Sequence, residues 1–474
     1  MNYKNIILSA TTALTTLCSC SLIQPDDIVN PNVDEETYLK STGAMTTWVN
    51  GTNQKFAVNI GYWCQMVEIL SDNYFNNYTR SSNVFDIPRI LYTDDDVVAM
   101  QRAVGTMREM ADYGIETVSR EDAPTRAQLF NLYTVKAYGS LLAGETFVGL
   151  PMTSGGDIHP WQEHLQQALE TLDNTLTYAA DASDSAFIFT LKARTYYALG
   201  RRDEAVNMAR RSLRLDANLL HQVTFDGANS INSDIQQAVW LNWFQPLPRL
   251  DFLDPKYFQL TSDEQRPITL AKAEENYLIM AEAAVSQNDL ATCKTLLSQL
   301  LALVKSRPVQ TQLNDQLEKR DNGVYKVYPN DPSLRVRASA DDSLRSALII
   351  DRQAPALITV PYISGTSVTP AMIAQTDSHD AMLELIYLMR QEIFICEGRR
   401  VTDLGIRLPV CEVEAAHASN AAGYTTARIP EFIPLGQEMD AFTVDEATKT
   451  VTIKHNMNRV IVSHRTSSDV VPFE

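Results

Sequence analysis

The stretch "FIFTLKARTYYALGRRDEAVNMARRSLRLDAN", Phe187 to Asn218, decides the fold class. Small or aromatic residues recur at Ala193, Tyr196, Gly200, Ala205, Ala209, Ser212 and Ala217. That spacing is the pattern of a tetratricopeptide unit, in which two antiparallel helices touch through small side chains and a glycine makes the turn. Asp203 and Glu204 open the second helix, and Arg210, Arg211 and Arg214 close it. Both placements suit the helix dipole, so these charges need no functional explanation.

Further helical patterns extend the reading in both directions. "KFAVNIGYWCQMVEILSD", "VVAMQRAVGTMREMADYGIETV" and "TRAQLFNLYTVKAYGSLLAGETF" repeat apolar residues at three- and four-residue steps. A looser second helical pair is "AEENYLIMAEAAVSQNDLATCKTLLSQLLALV", with Asn288 and Asp289 near its turn. A third joins Ala127–Phe147 to "WQEHLQQALETLDNTLTYA". Between them lie segments of another kind. "SSNVFDIPRILYT" and "SDNYFNNYTR" read as loops, and "QQAVWLNWFQPLPRLDFLDPKYFQL" begins β-like and becomes rich in proline and aromatics. "NGVYKVYPNDPSLRVRAS" and "PALITVPYISGTSVTP" alternate, and "TVDEATKTVTIKHNMNRVIVSH" reads as a β-hairpin. The fold class is therefore mainly α: a tetratricopeptide-like α-α superhelical scaffold with irregular loops and a few short β-hairpins.

Composition narrows the function. The 474 residues carry 58 acidic against 40 basic side chains, a formal charge of −18. A field of that sign repels nucleic-acid phosphates and anionic lipid surfaces. At the N-terminus, Lys4 precedes an uncharged run from Ile6 to Leu17, too short to span a bilayer as a helix. Leu17-Cys18-Ser19-Cys20 resembles a bacterial lipobox, with the small Ser19 before Cys20. Residues 1–19 are then a lipoprotein signal peptide, Cys20 the lipidated terminus and 20–40 a polar, acidic tether. The remaining cysteines, Cys64, Cys293, Cys396 and Cys411, form no CxxC pair and read as small buried hydrophobes.

A search for chemistry finds no catalytic constellation. None of the seven histidines has HExxH spacing, and there is no GxSxG elbow, Walker loop or dinucleotide fingerprint. Asp94-Asp95-Asp96 reads as a solvated helix cap, so neither a metal nor a cofactor is expected. Candidate ligand-binding residues come from aromatics set among amides: Tyr74, Phe75, Asn76, Tyr78 and Arg80, with Trp243 further on. Flat rings stack on sugar faces while amides and guanidinium reach hydroxyls. Core filling is the competing reading for Tyr74 and Tyr78, and it is preferred for Trp240.

The last dense feature is "RQEIFICEGRRVTDLG", with Arg390, Glu392, Glu397, Arg399, Arg400 and Asp403 inside an apolar run. On a continuous helix Arg399 and Asp403, and Glu397 and Arg400, fall at pairing distance. With no His, Cys pair or Ser elbow beside them, these charges read as an internal salt-bridge lock between the C-terminal helix and the scaffold.

Four stretches resemble the SusD/RagB family of Bacteroidetes outer-membrane lipoproteins. They are "TRAQLFNLYTVKAYGSLLAGETFVGLPM", "LKARTYYALGRRDEA", "RPITLAKAEENYLIMAEAAV" and "RQEIFICEGRRVTDLGIR". The resemblance implies one SusD-like domain over 41–474, an N-terminal part at 41–245 with its tetratricopeptide unit near 186–218, and a C-terminal part at 246–474. It implies a non-catalytic surface protein that captures oligosaccharides and passes them to a SusC-like TonB-dependent outer-membrane transporter. Peptide capture, as in RagB-like members, and a surface glycoside hydrolase are the alternatives. Only Cys20 is transferred as a functional residue. The implied location is the outer membrane, lipid-anchored and facing the cell exterior.

Overall fold

The computed structural model describes residues 35–76, 83–241, 243–258, 261, 263–314, 327–352, 357–436 and 439–474. Cys20, Tyr78 and Arg80 lie outside the described residues. The frame is helical: α1 (Ala44–Ile69), α2 (Asp95–Tyr113), α3 (Arg126–Thr146), α4 (Trp161–Thr177), α5 (Ala182–Ala198), α6 (Arg202–Leu215), α7 (Ala273–Ser286), α8 (Leu290–Ser306) and α9 (His379–Ile393). Consecutive helices pack as antiparallel pairs, α3 with α4, α5 with α6, and α7 with α8. Among the described residues, no helix is long and apolar enough to cross a membrane.

The starts and stops follow local chemistry. Thr125 and Gln128 form a reciprocal capping box at the head of α3. Asp181, Asp289 and Ser378 each accept a backbone N–H at the heads of α5, α8 and α9. Between α5 and α6, Gly200 sits at φ +70°, a left-handed conformation that glycine adopts without steric cost. The turn at Asn288 between α7 and α8 has the same hand, at φ +57°.

Where α5, α6 and α7 meet, the small residues enclose a buried polar contact. Thr190 and Ser212 hydroxyls lie 2.8 Å apart, and Asn276 Nδ2 donates to both, at 2.8 and 3.2 Å. Thr190, Ser212 and Asn276 are all 0% exposed. This contact registers the second helical pair on the first, because a donor moved out of place here would be desolvated without a partner.

Short strands close the loops. The hairpin forms as Phe442–Asp445 with Thr450–Ile453, its second strand pairing in parallel with Arg335–Arg337, whereas the later part of the stretch expected to be a hairpin, Met457–Ser463, is a helix. Leu357–Pro361 pairs antiparallel with Val309–Asn314. Two further local expectations are corrected. Asp234–Trp240 is helical where the sequence looked β-like, because Ile235, Ala238 and Val239 fall on one buried helical face. Tyr74–Asn76 is a fully buried strand paired with Phe244–Pro246, where a loop was expected. One hydrophobic cluster runs from Phe56 to Val471 and joins these parts.

Asn276→Ala should remove the contact shared by three helices. The expected loss is about 1–3 kcal/mol, read as a lower denaturation midpoint with an unchanged m-value.

Candidate functional site

Helix α9 stops at Ile393, and the chain then reverses through Cys396 (φ +61°) and Gly398 (φ +70°). A Cβ on Gly398 would lie 2.1 Å from Trp63 Cζ3, so only glycine lets this bend close onto α1. The short helix Arg400–Asp403 follows. Because the helix is broken, the expected pairs Arg399–Asp403 and Glu397–Arg400 do not form. Arg390 and Asp403 pair across the bend, and the other four charges find partners in distant segments.

Arg390 donates from Nε and Nη2 to Asp403 Oδ1, at 3.0 and 2.8 Å. Arg400 grips both oxygens of Asp72 at the end of α1, with Nη2 to Oδ2 at 2.9 Å, and reaches Asn458 Oδ1 at 2.8 Å. Arg399 meets Glu275 of α7 at 3.2 Å and the carbonyl of Leu270 at 2.8 Å. Glu397 Oε1 accepts from Lys256 and Lys272, at 2.6 and 2.8 Å. Glu392 accepts from Thr366 Oγ1 and from the backbone N–H of Ser367, each at 2.7 Å, and from the Ser367 hydroxyl. All six members of the cluster are buried, none more than 4% exposed.

Burial also shifts protonation around this bend. It pushes Glu68 up to about 7, although Asn73 and the Gly398 N–H donate to its carboxylate at 2.7 and 2.9 Å. Burial likewise pulls Lys272 down to about 8, while Glu397 acts in the opposite direction.

The proposed stacking residues are placed elsewhere. Tyr74 is 0% and Phe75 2% exposed. The Tyr74 hydroxyl accepts from Cys396 Sγ at 3.1 Å, and the Phe75 ring lies against Tyr328 and Phe442. No face of either ring is open to a sugar, and Asn76 is 1% exposed. Core filling is what occupies these positions, because pairing with Phe244–Pro246 turns the strand inward. Trp243 is half-buried and packs against the main core. Cys64, Cys293, Cys396 and Cys411 are free and buried.

A cavity of about 300 Å³ opens beside the cluster, between α9, the strand Arg335–Arg337 and the helices Pro370–Gln375 and Met457–Ser463. Val336, Leu348, Met372, Leu385 and Leu388 make its apolar floor. Arg249, Arg345, Asp342, Glu384, Asn456 and Asn458 line its polar walls, together with Glu392 from the cluster. The wall acids are engaged: Asn456 Nδ2 donates to Glu384 at 2.7 Å and to Asp342 at 3.2 Å, and Arg459 reaches both. An apolar floor with a few convergent polar groups is the general form of a small-ligand site, and this volume lies at its lower end.

A second cavity, about 360 Å³, lies on the other side of the cluster, where Thr402, Asp403 and Arg407 face the C-terminal segment Thr466–Glu474. Trp161, Tyr197 and Tyr387 line it as well, and the Trp161 ring is covered by the Arg407 guanidinium at 4.1 Å. The first cavity has the more apolar lining of the two. Of the residues singled out in the sequence, only Glu392 reaches it. Arg249 carries no local sequence signal, and its near neighbour Asp251 pairs with Arg352 at 2.7 Å.

No family model matches the chain, and no curated protein matches it. Solved structures do. The chain is similar to a SusD-like carbohydrate binding protein from Bacteroides vulgatus, at 13% identity over 76% of this chain and 82% of that one, TM-score 0.46. It is similar to a SusD superfamily protein from Bacteroides fragilis, at 14% identity over 79% and 98%, TM-score 0.48. A SusD superfamily protein from Bacteroides vulgatus matches at 10% identity over 81% and 99%, TM-score 0.49.

Two outcomes follow from the buried charges. Arg390→Ala strands Asp403, 3% exposed, without its cation. The expected loss is about 3–5 kcal/mol in denaturant titration, with ligand preference unchanged and Arg390→Lys partly restoring stability. Glu68 keeps its proton in the folded chain up to about 7, whereas the unfolded carboxyl releases it near 4.5. Its contribution to stability is therefore greatest below about 4.5 and declines as pH rises toward about 7. Glu68→Gln should flatten that slope relative to the parent chain in melts recorded across the same window.

Proposed function

We propose that this protein is a lipid-anchored binding protein of the outer cell surface, tethered through Cys20. It captures oligosaccharides and delivers them to a partner TonB-dependent outer-membrane transporter resembling SusC, doing no chemistry on them. The observation that carries the reading is the cavity beside the cluster, where aliphatic side chains form a floor beneath amide, carboxylate and guanidinium groups. Aliphatic surface receives the C–H faces of a sugar ring, and planar polar side chains reach its hydroxyls in pairs.

The four sequence stretches that resemble SusD/RagB proteins support the same reading from another direction, since "RQEIFICEGRRVTDLGIR" builds the buried cluster against which the cavity rests. In that role the cluster is a structural lock, and ligand contact falls to the loops and helix ends around it. The transporter would take the other side of the complex, and the tether from Cys20 would hold the body at the membrane.

The test is oligosaccharide binding by the mature chain in affinity gels and on a glycan array, with reducing-end release measured in parallel. Retardation without product release is the expected result; released reducing ends would establish a hydrolase instead. Ala381 is exposed at the cavity rim, in the first turn of α9. Ala381→Trp should close the mouth and weaken binding by at least about tenfold, a change of about 1.4 kcal/mol, while leaving the melting temperature unchanged. Undiminished retardation by this variant would place the ligand elsewhere on the molecule.

A further inference from the structure

Arg249 sits in the Pro248–Tyr257 segment and lines the cavity beside the cluster. It is 7% exposed, and its Nη2 has no hydrogen-bond partner among the described residues. A guanidinium taken from water without a partner carries a desolvation cost that native structures rarely leave unmet. Burial lowers its pKa, while Glu392 and Asp72 act in the other direction across a gap that no hydrogen bond closes.

The acids around it are not waiting for it. Glu392 is held by Thr366 and Ser367, and Asp342 and Glu384 by Asn456 and Arg459. The second arginine of the wall, Arg345, spends its Nη2 on the carbonyl of Ser367 at 2.5 Å. Two guanidinium groups thus line the cavity, and every carboxylate of its lining has its own partners. The lining sets Arg249 and Arg345 against Glu392, Asp342 and Glu384, so what distinguishes Arg249 is its lack of a hydrogen-bond partner at Nη2 and not the net charge of the cavity.

We infer that Arg249 receives a carboxylate of the captured ligand, so that the site selects acidic sugars over neutral ones. The inference rests on the capture reading proposed above and names the class of ligand for that same cavity. A carboxylate is planar, carries one charge and matches the guanidinium fork with two parallel hydrogen bonds. A phosphate dianion would meet twice the repulsion from Glu392, Glu384 and Asp342, which keeps the selection with the singly charged group. Arg345 flanks the position and supplies attraction from the second side.

The experiment compares binding of oligosaccharides bearing uronic or ulosonic acid residues with their carboxyl-reduced and sulfated counterparts, on the mature chain and on Arg249→Gln. Peptides with free and amidated C-termini form a second arm. At least tenfold tighter binding of the carboxylated oligosaccharides, lost in Arg249→Gln at unchanged melting temperature and kept in part by Arg249→Lys, is the expected result. Equal binding of carboxylated and reduced oligosaccharides overturns the inference and leaves the capture reading standing; so does a preference for the sulfated series. Binding confined to free-C-terminus peptides and abolished by Arg249→Gln supports the carboxylate contact and overturns the oligosaccharide reading. Binding in neither arm overturns both. If Arg249→Gln does not fold, the comparison of carboxylated with reduced ligands on the parent chain decides the matter alone.

Discussion

A charge withdrawn from water must be matched by a partner inside the protein, and at the end of α9 this requirement governs the whole molecule. Arg400 is 2% exposed and holds Asp72 from the N-terminal half and Asn458 from the C-terminal end in one grip. Arg399 does the same for α7 through Glu275, and Glu397 for Lys256 and Lys272. Each pair alone returns little net stability, since desolvation cancels most of the Coulomb attraction. What the pairs do supply is register. A segment out of place would strand a buried charge, and a stranded charge costs far more than a lost apolar contact.

That constraint explains why the site lies where it does. The lock needs a helix end, a sharp reversal and several chain segments converging on it, and such convergence leaves gaps between elements that cannot all interdigitate. Glu392 lines one of these gaps and Asp403 the other. Each charge of the lock has a partner, although Arg390 Nη1, Glu397 Oε2 and Asp403 Oδ2 carry no hydrogen bond of their own among the described residues. The groups free to meet a ligand are those the lock does not use, Arg249 above all.

Much of the helical frame was legible in the sequence. The α5–α6 pair, its glycine turn and the acidic and basic ends of α6 all express local rules, and the structure follows them. So does the hairpin of Phe442–Asp445 with Thr450–Ile453. Tyr74 and Phe75 were less legible, because an aromatic flanked by asparagines looks exposed until its strand partner is known. Asn73 and Asn76 are themselves buried, at 0% and 1% exposure, which local polarity could not foretell. The helical pairing expected for Arg399 and Arg400 failed for a related reason: the left-handed bend at Cys396 and Gly398 redirects both side chains.

The sequence by itself determined that long amphipathic helices form and pair, which of their faces are apolar, and that the charges of "RQEIFICEGRRVTDLG" have to be paired. These are properties of neighbours along the chain, and propensity, capping and periodicity act at that range. Only the tertiary structure decided which partner each charge takes and which guanidinium nitrogens, Arg249 Nη2 among them, are left without one among the described residues. Asp72 and Arg400 are brought together from opposite ends of the chain by burial of a shared core, and no spacing rule reaches so far. The cavity beside the cluster is lined by residues from segments far apart in sequence, and for that reason it became visible only in the folded chain.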